Sequence, residues 1–157
     1  MPIIKNLLKV FLIFTLTGCG FKAINPSELN KFSISEVTTE GDYRINNRIK
    51  NKLLFNSNVN DKRLISIRLN TSKNKFVKEK NIKNEITKYQ VKIIVEVMFI
   101  EVGKNEEHKL TLSKSGNYDI GAQHSQTLNN EKNLIKLLTN NISEQILEGL
   151  SGKLNDI

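Results

Sequence analysis

The sequence predicts an α+β fold, in which two helices pack on one face of a small, mostly antiparallel sheet of about four strands, in the order βαβββα. Two segments repeat apolar residues at every fourth position, which is typical of amphipathic helices. Other segments alternate apolar and polar residues, as half-buried strands do. At 157 residues, the length fits one domain, which we place at residues 32–157.

The first half of this domain predicts a strand, a helix and a second strand. Residues 32–37 form a short strand candidate, and residues 38–42 read as a turn with helix-capping residues. A helix follows, because apolar residues recur at positions Ile45, Ile49 and Leu53. Residues 56–61 break the helix, and alternation over residues 64–71 predicts a strand with one wet face.

The middle of the domain predicts a long antiparallel hairpin. Residues 73–87 are polar and basic, and they extend the preceding strand before a turn near residues 81–84. Residues 88–102 carry the longest strand pattern, with one apolar face throughout. Residues 103–106 form a hairpin turn, and the return strand runs to about Ser115.

The last part predicts a loop and a closing helix. Residues 116–128 read as a loop that contains His124. Either Asn129 or Asn130 can cap the helix, and Gly152 can end it. The apolar stripe of the helix steps by four through Leu134, Leu138, Ile142 and Ile146.

The N-terminus has the organisation of an export signal. Lys5 and Lys9 are its charged residues, and residues 10–16 form an apolar run too short to span a membrane as an anchor. The run ends in Leu16-Thr17-Gly18-Cys19, which resembles the lipobox of bacterial lipoproteins. We therefore assign residues 1–18 to a signal peptide and residues 19–31 to a lipidated tether.

Cys19 is the residue on which this interpretation depends. Its thiol is the nucleophile that would take the diacylglyceryl group, and Gly18 is small enough to let a peptidase reach the bond before it. The alternative is a buried cysteine that ends an ordinary apolar element. The residue after Cys19 is Gly20 and not Asp, which favours an outer-membrane, periplasm-facing location with the lipid as anchor.

Composition argues against several classes of function. A single cysteine excludes an internal disulfide and a Cys-based zinc site, and the two histidines, His108 and His124, lie in no nucleophile motif. The glycines are scattered, so no phosphate loop is present. There is no Trp, and no aromatic residues interleave a basic strand as in nucleic-acid binders. We expect a non-enzyme with no cofactor, no metal and no nucleic-acid partner.

Two surface features remain as binding candidates. A basic segment is a candidate lipopolysaccharide-binding strip, formed by Lys73, Lys75, Lys78 and Lys80. The alternative is a solvated edge strand on which lysines prevent pairing between chains. Ile94, Met98 and Ile100 form the second candidate, an apolar patch for a protein partner or a surface covered by the chain itself.

The chain as a whole resembles the LPS-assembly lipoprotein family, LptE, in a divergent alphaproteobacterial form. The lipobox is followed at once by Gly20 and Phe21, and residues 43–54 match the family's helix. Residues 85–91 lead into a long strand, and residues 115–118 resemble the small-residue-plus-Tyr step after the last strand. The closing amphipathic helix completes the resemblance, which covers about residues 19–150.

The resemblance implies a lipoprotein that plugs the LptD β-barrel in the outer membrane. In this role it assists assembly of the barrel and the export of lipopolysaccharide to the outer leaflet. A generic envelope lipoprotein, acting as a structural or pilot partner of another outer-membrane complex, is the alternative. An envelope enzyme is a third class, against which the missing catalytic motif argues.

We predict that the mature protein begins at a lipidated Cys19. The free energy of burying several acyl chains, at about 0.8 kcal/mol per methylene, would make the anchor stable. Intact-mass analysis of membrane-extracted protein should show loss of residues 1–18 and the added mass of the lipid. An unmodified Cys19, or a mature chain that retains Met1, would contradict this assignment.

Overall fold

The computed structural model describes residues 32–57 and 63–155. The predicted signal peptide, Cys19 and the tether lie outside these residues. The elements are β1 (Ser33–Gly41), α1 (Tyr43–Phe55), β2 (Leu64–Lys80), β3 (Ile86–Glu101), β4 (Glu107–Asp119) and α2 (His124–Asn155). The sheet has the order β1-β2-β3-β4, in which β1 is parallel to β2 and the other pairs are antiparallel. The predicted α+β class and the order βαβββα are confirmed.

The core lies between one face of the sheet and the two helices, as predicted. Alternate residues of β2 and β3 point into the core, and the apolar faces of α1 and α2 pack against them. The fully buried apolar residues include Ile65, Ile67, Leu69, Ile93, Val95 and Val97 of the sheet, Ile45, Ile49 and Leu53 of α1, and Ile142, Ile146 and Leu150 of α2. In the ranges 32–57 and 63–155, neither helix combines the length and apolarity needed to cross a membrane.

The junction between β1 and α1 differs from the predicted turn at residues 38–42. β1 continues through Gly41, where φ is +91°, and only Asp42 lies between the strand and the helix. A Cβ atom at Gly41 would lie 1.9 Å from the backbone oxygen of Thr71, so the close approach of β2 requires glycine. Asp42 caps α1, because its Oδ1 accepts hydrogen bonds from the backbone N–H of Arg44 and Ile45, both at 3.1 Å.

The predicted loop at residues 116–128 and the predicted caps of the closing helix are wrong. β4 continues to Asp119, and α2 begins at His124, well before Asn129 and Asn130, and passes through Gly152. The side chain of Asn130 instead donates a hydrogen bond to the backbone oxygen of Asp119, at 3.0 Å. Pairing with β3 determines where β4 ends, and its polar sequence reflects an exposed outer face rather than a loop.

The two hairpin turns agree with the sequence prediction. β2 extends through the basic segment to Lys80, and the turn follows at the predicted place. Asn81 holds this turn, because its Oδ1 accepts hydrogen bonds from the backbone N–H of Lys83 and Glu85, at 2.9 and 3.0 Å. In the second turn, Gly103 takes a positive φ of 92°.

We predict that Ile142→Asp unfolds the domain, whereas Asn141→Asp does not. Ile142 has no solvent exposure, so the substitution buries a carboxylate without a partner and lowers the free energy of unfolding by more than about 4 kcal/mol. Asn141 is the adjacent exposed residue of α2, and its substitution should stay within about 0.5 kcal/mol. Thermal melts followed by circular dichroism measure both. A melt of Ile142→Asp equal to that of the wild type would contradict the helix orientation.

Candidate anion-binding cleft

A cleft of about 400 Å³ lies between α1 and the first half of α2. Five basic and two acidic side chains line it together with four other residues. The basic residues are Arg44, Arg48, Lys73, Lys132 and Lys136; the acidic residues are Asp42 and Glu131; the others are Ile45, Leu128, Ile135 and Thr139. The excess of positive charge makes the cleft a candidate site for an anion.

Four of the five basic residues form two pairs, each set by the spacing of residues along one helix. Arg44 and Arg48 lie four residues apart on α1, and Lys132 and Lys136 lie four residues apart on α2. Residues at this spacing share one face of a helix, so each helix presents a basic pair to the cleft. Within the part of the chain that the structure describes, none of these four side chains has a carboxylate within 4.0 Å.

Apolar residues lie among these charges. Ile45 is buried, Ile135 is partly buried against the core, and Leu128 is 52% exposed. The hydroxyl of Thr139 is already used, because it donates a hydrogen bond to the backbone oxygen of Ile135, at 2.7 Å. The cleft therefore offers cations and an apolar surface together, which suits a ligand with a charged group and a hydrocarbon part.

Asp42 carries a negative charge in the cleft that the protein already compensates. Burial raises the pKa of its carboxyl, but hydrogen bonds from the backbone N–H of Ile45 and Arg44 and the charge of Lys73 lower it more. The net pKa lies below the ordinary value. Lys73 Nζ is 3.2 Å from Asp42 Oδ2, so this carboxylate and this lysine form a pair at the end of the cleft.

Glu131 is compensated in the same way, by Lys75 and Tyr118. Its Oε2 lies 2.7 Å from Lys75 Nζ and accepts a hydrogen bond from the hydroxyl of Tyr118, also at 2.7 Å. Lys75 Nζ lies 4.3 Å from the centroid of the Tyr89 ring, and the two tyrosine rings stack at 5.7 Å. Burial raises the pKa of Glu131, but the hydrogen bonds from Lys75 and Tyr118 lower it more, and the net pKa is below the ordinary value.

The four lysines of the candidate lipopolysaccharide strip do not share one surface. Lys73 and Lys75 pair with Ile93 and Val91 of β3, which places their side chains on the helix side of the sheet. There they form the ion pairs with Asp42 and Glu131. Lys78 and Lys80 lie exposed near the hairpin turn, beyond a register shift.

The sequence patterns did not single out the two arginines of α1 or the two lysines of α2 that line the cleft. Their spacing of four residues was a usable signal, but it shows only that each pair shares a helix face. Only the packing of α1 against α2 brings the two pairs to one cleft.

The remaining candidates lie elsewhere on the sheet. Ile94, Met98 and Ile100 are on the face opposite the helices; the first two are partly buried and Ile100 is 40% exposed. His108 stacks on the buried ring of Phe99, with 5.0 Å between ring centroids, and so has a packing role.

Among residues 32–57 and 63–155, no three His, Cys, Asp or Glu side chains form a group that could hold a metal ion.

The fold is shared with solved structures of bacterial lipoproteins. The chain is similar to rare lipoprotein B from Shewanella oneidensis, with 16% identity, a TM-score of 0.63 and coverage of 81% of this chain and 98% of that one. It is also similar to a lipoprotein from Caulobacter crescentus, with 16% identity, a TM-score of 0.54 and coverage of 83% and 95%. Lipoprotein B from Nitrosomonas europaea is 16% identical, with a TM-score of 0.55 and coverage of 87% and 93%.

These similarities are confined to structure. No protein-family model matches the sequence, and no curated protein matches it. The similarities extend over 93 to 98% of each solved chain, so the shared feature is the overall fold.

We predict that Glu131→Gln lowers stability at neutral pH and reduces the loss of stability in acid. A carboxyl whose pKa is lowered by folding stabilises the protein above its unfolded pKa, here near 4.5, and this contribution is lost as the pH falls through the folded pKa. Glu131→Gln should therefore cost about 1 kcal/mol at pH 7, and the difference from the wild type should shrink below pH 4.5.

Urea denaturation between pH 3 and pH 7 measures this difference, over the range in which a carboxyl titrates. Glu148→Gln, an exposed position on the same helix, is the control and should follow the wild type. A constant difference between Glu131→Gln and the wild type across this range would mean that Glu131 acts through packing and not through charge.

Proposed function

We propose that the chain is a lipid-anchored lipoprotein of the bacterial outer membrane, on the periplasmic side, that binds lipopolysaccharide as the plug of the LptD β-barrel. The observation that carries this proposal is the cleft, in which arginines and lysines without a carboxylate partner line the same space as apolar side chains. The export signal and the lipobox at Cys19 support the anchor. The fold shared with solved bacterial lipoproteins supports the same class of protein.

The chemistry of the cleft suits a phosphorylated glycolipid. Arginine guanidinium groups bind phosphate oxygens in a bidentate manner, and Arg44 and Arg48 provide two of them. Lys132 and Lys136 add charge from the opposite wall. Leu128 and Ile135 can contact part of an acyl chain, but about 400 Å³ holds only a portion of so large a molecule.

The exposed hairpin lysines give a second contact for the same ligand class. Lys78 and Lys80 keep the lipopolysaccharide-binding role proposed from the sequence, because only Glu79 lies between them. Lys73 joins the cleft, and Lys75 supports it by holding Glu131. Binding would therefore use two separate clusters of cations rather than one strip.

The barrel partner is proposed from the family resemblance and from charge. The formal net charge is +8, or +6 without Lys5 and Lys9 of the predicted signal peptide, and it suits the polar and charged interior of a large barrel. A lipid anchor would also hold the domain at the membrane and raise its effective concentration near the barrel. The alternative is a pilot or structural partner of another envelope complex, which would share the anchor but would not require the cleft.

We predict that reversing the charge of the cleft weakens lipopolysaccharide binding and leaves the fold intact. The variant combines Arg48→Glu, Lys132→Glu and Lys136→Glu, all at exposed positions. Affinity-tagged, lipidated protein purified from outer membranes should then retain less than about one tenth of the wild-type lipopolysaccharide, since each tenfold change needs only about 1.4 kcal/mol. The same preparation identifies the co-purifying barrel by mass.

A matched control has Arg68→Glu, Lys92→Glu and Lys109→Glu. These exposed cations lie on the sheet face opposite the helices, and their reversal changes the net charge by the same amount. The control should retain lipopolysaccharide. If both triple variants retained the same amount of lipopolysaccharide, binding would depend on general surface charge and not on the cleft. A preparation that contains no barrel protein would favour the pilot alternative.

A further inference from the structure

β1 covers only half of the edge of β2. Their pairing ends at Gly41 and Thr71, whereas β2 continues through residues 72–80, paired on its other side with β3. Gly41 leads the chain out of the sheet, and Asp42 starts α1. Beyond Thr71, no strand or helix of the described ranges hydrogen bonds to this edge of β2.

The direction of the unpaired backbone groups follows from hydrogen bonds at the two sides of β2. The backbone oxygen of Thr71 accepts from the N–H of Asp42, at 3.2 Å, and therefore points towards β1. The oxygen of Leu64 accepts from the N–H of Val102, at 2.8 Å, and points towards β3. Successive residues of a strand alternate between the two sides, and the pairing with β3 is regular to Val77.

Lys73, Lys75 and Val77 consequently direct their backbone N–H and C=O groups to the open side. Groups on one side of a strand recur every second residue, or about 6.6 Å, which is the repeat that a paired strand requires. A row of unpaired groups of this kind is a template for the addition of a strand from another chain.

We propose that residues 72–77 of β2 form a docking edge for an extended, acidic segment of a protein partner. Beside this edge, Lys78 and Lys80 are exposed and form no ion pair within the described residues, and the Glu79 between them is paired with Lys88, at 2.9 Å, so carboxylates on the added strand would be attracted. A second copy of the same edge would place lysine against lysine and be repelled. Phe76 and Val77, which are 51% and 48% exposed, offer apolar contacts on the two faces of the added strand.

This inference specifies how the protein partner of the proposed function is contacted, and so it rests on that partner. It does not depend on lipopolysaccharide. The contact uses backbone groups, whereas the cleft uses side chains, so the two can be tested with different substitutions.

Hydrogen exchange distinguishes an occupied edge from an open one. The full, lipidated protein is compared in detergent solution and in purified outer membranes, with exchange resolved to single amides by mass spectrometry. The amides of Lys73, Lys75 and Val77 should exchange at least tenfold more slowly in membranes. Those of Asn74 and Phe76, which already face β3, serve as internal controls and should not change.

A proline substitution removes one donor from the edge. Val77→Pro deletes an outward N–H that the described sheet does not use, and proline is tolerated on the open side of an edge strand. Val77→Thr keeps the N–H and a β-branched side chain, and is the control. Val77→Pro should reduce the amount of co-purifying partner at least tenfold at an unchanged melting temperature, whereas Val77→Thr should not.

Each outcome bears on a separate claim. Unchanged exchange of Lys73, Lys75 and Val77 in membranes overturns the docking edge, even where a barrel co-purifies and the proposed function stands. Crosslinks from position 78 to a second copy of the chain also overturn it. If Val77→Pro does not fold, the exchange measurement on the wild type decides alone.

Discussion

The antiparallel pairing of β2 with β3 is the interaction on which the rest of the structure depends. It runs from Ile65 and Glu101 to Lys80 and Ile86, with buried side chains on one face. β1 pairs with β2 and β4 pairs with β3, but the two pairings differ in length. β4 follows β3 almost to the turn, whereas β1 leaves β2 at Thr71. The cleft and the open edge both lie where β1 is missing.

The departure of β1 is enforced by two adjacent residues. Gly41 allows the backbone to approach Thr71 more closely than any side chain would permit, and Asp42 immediately satisfies the first N–H groups of α1. Thr71 donates from its hydroxyl to Asn46 Oδ1, at 3.0 Å, and the amide of Asn46 donates to Glu40 O, at 2.8 Å. These buried hydrogen bonds fix the start of α1 against the sheet, and they therefore fix the wall of the cleft that carries Arg44.

The apolar pattern was sufficient to predict which residues form the core, because burial imposes a period of two residues on strands and of 3.6 residues on helices. Ile45, Ile49 and Ile142 lie inside as their spacing predicts. The ends of strands and helices were harder to predict where the sequence is polar. The sequence predicts an end of β4 near Ser115, four residues before the observed end at Asp119, because the outer face of the strand is polar and Gly116 is typical of a strand end. In the structure Gly116 makes room for Leu134, whose Cδ1 would lie 2.6 Å from an added Cβ.

The candidate site was less predictable than the fold, for a physical reason. Proximity along the chain suggested one strip of lysines, but alternation along β2 sends the side chains of Lys73 and Lys75 towards the helices, where carboxylates neutralise them. The unpaired cations of the cleft come from two helices far apart in sequence. A pattern within one helix cannot show that the other helix lies beside it.

Lys73 connects the two surfaces that the missing half of β1 leaves open. Its side chain lines the cleft and pairs with Asp42, while its backbone N–H and C=O face the unpaired edge. An anion in the cleft would compete with Asp42 for this lysine, whereas a strand added to the edge would leave the ion pair intact. A single strand that ends nine residues before its neighbour thus produces two chemically different surfaces, one that presents charged side chains and one that presents backbone groups.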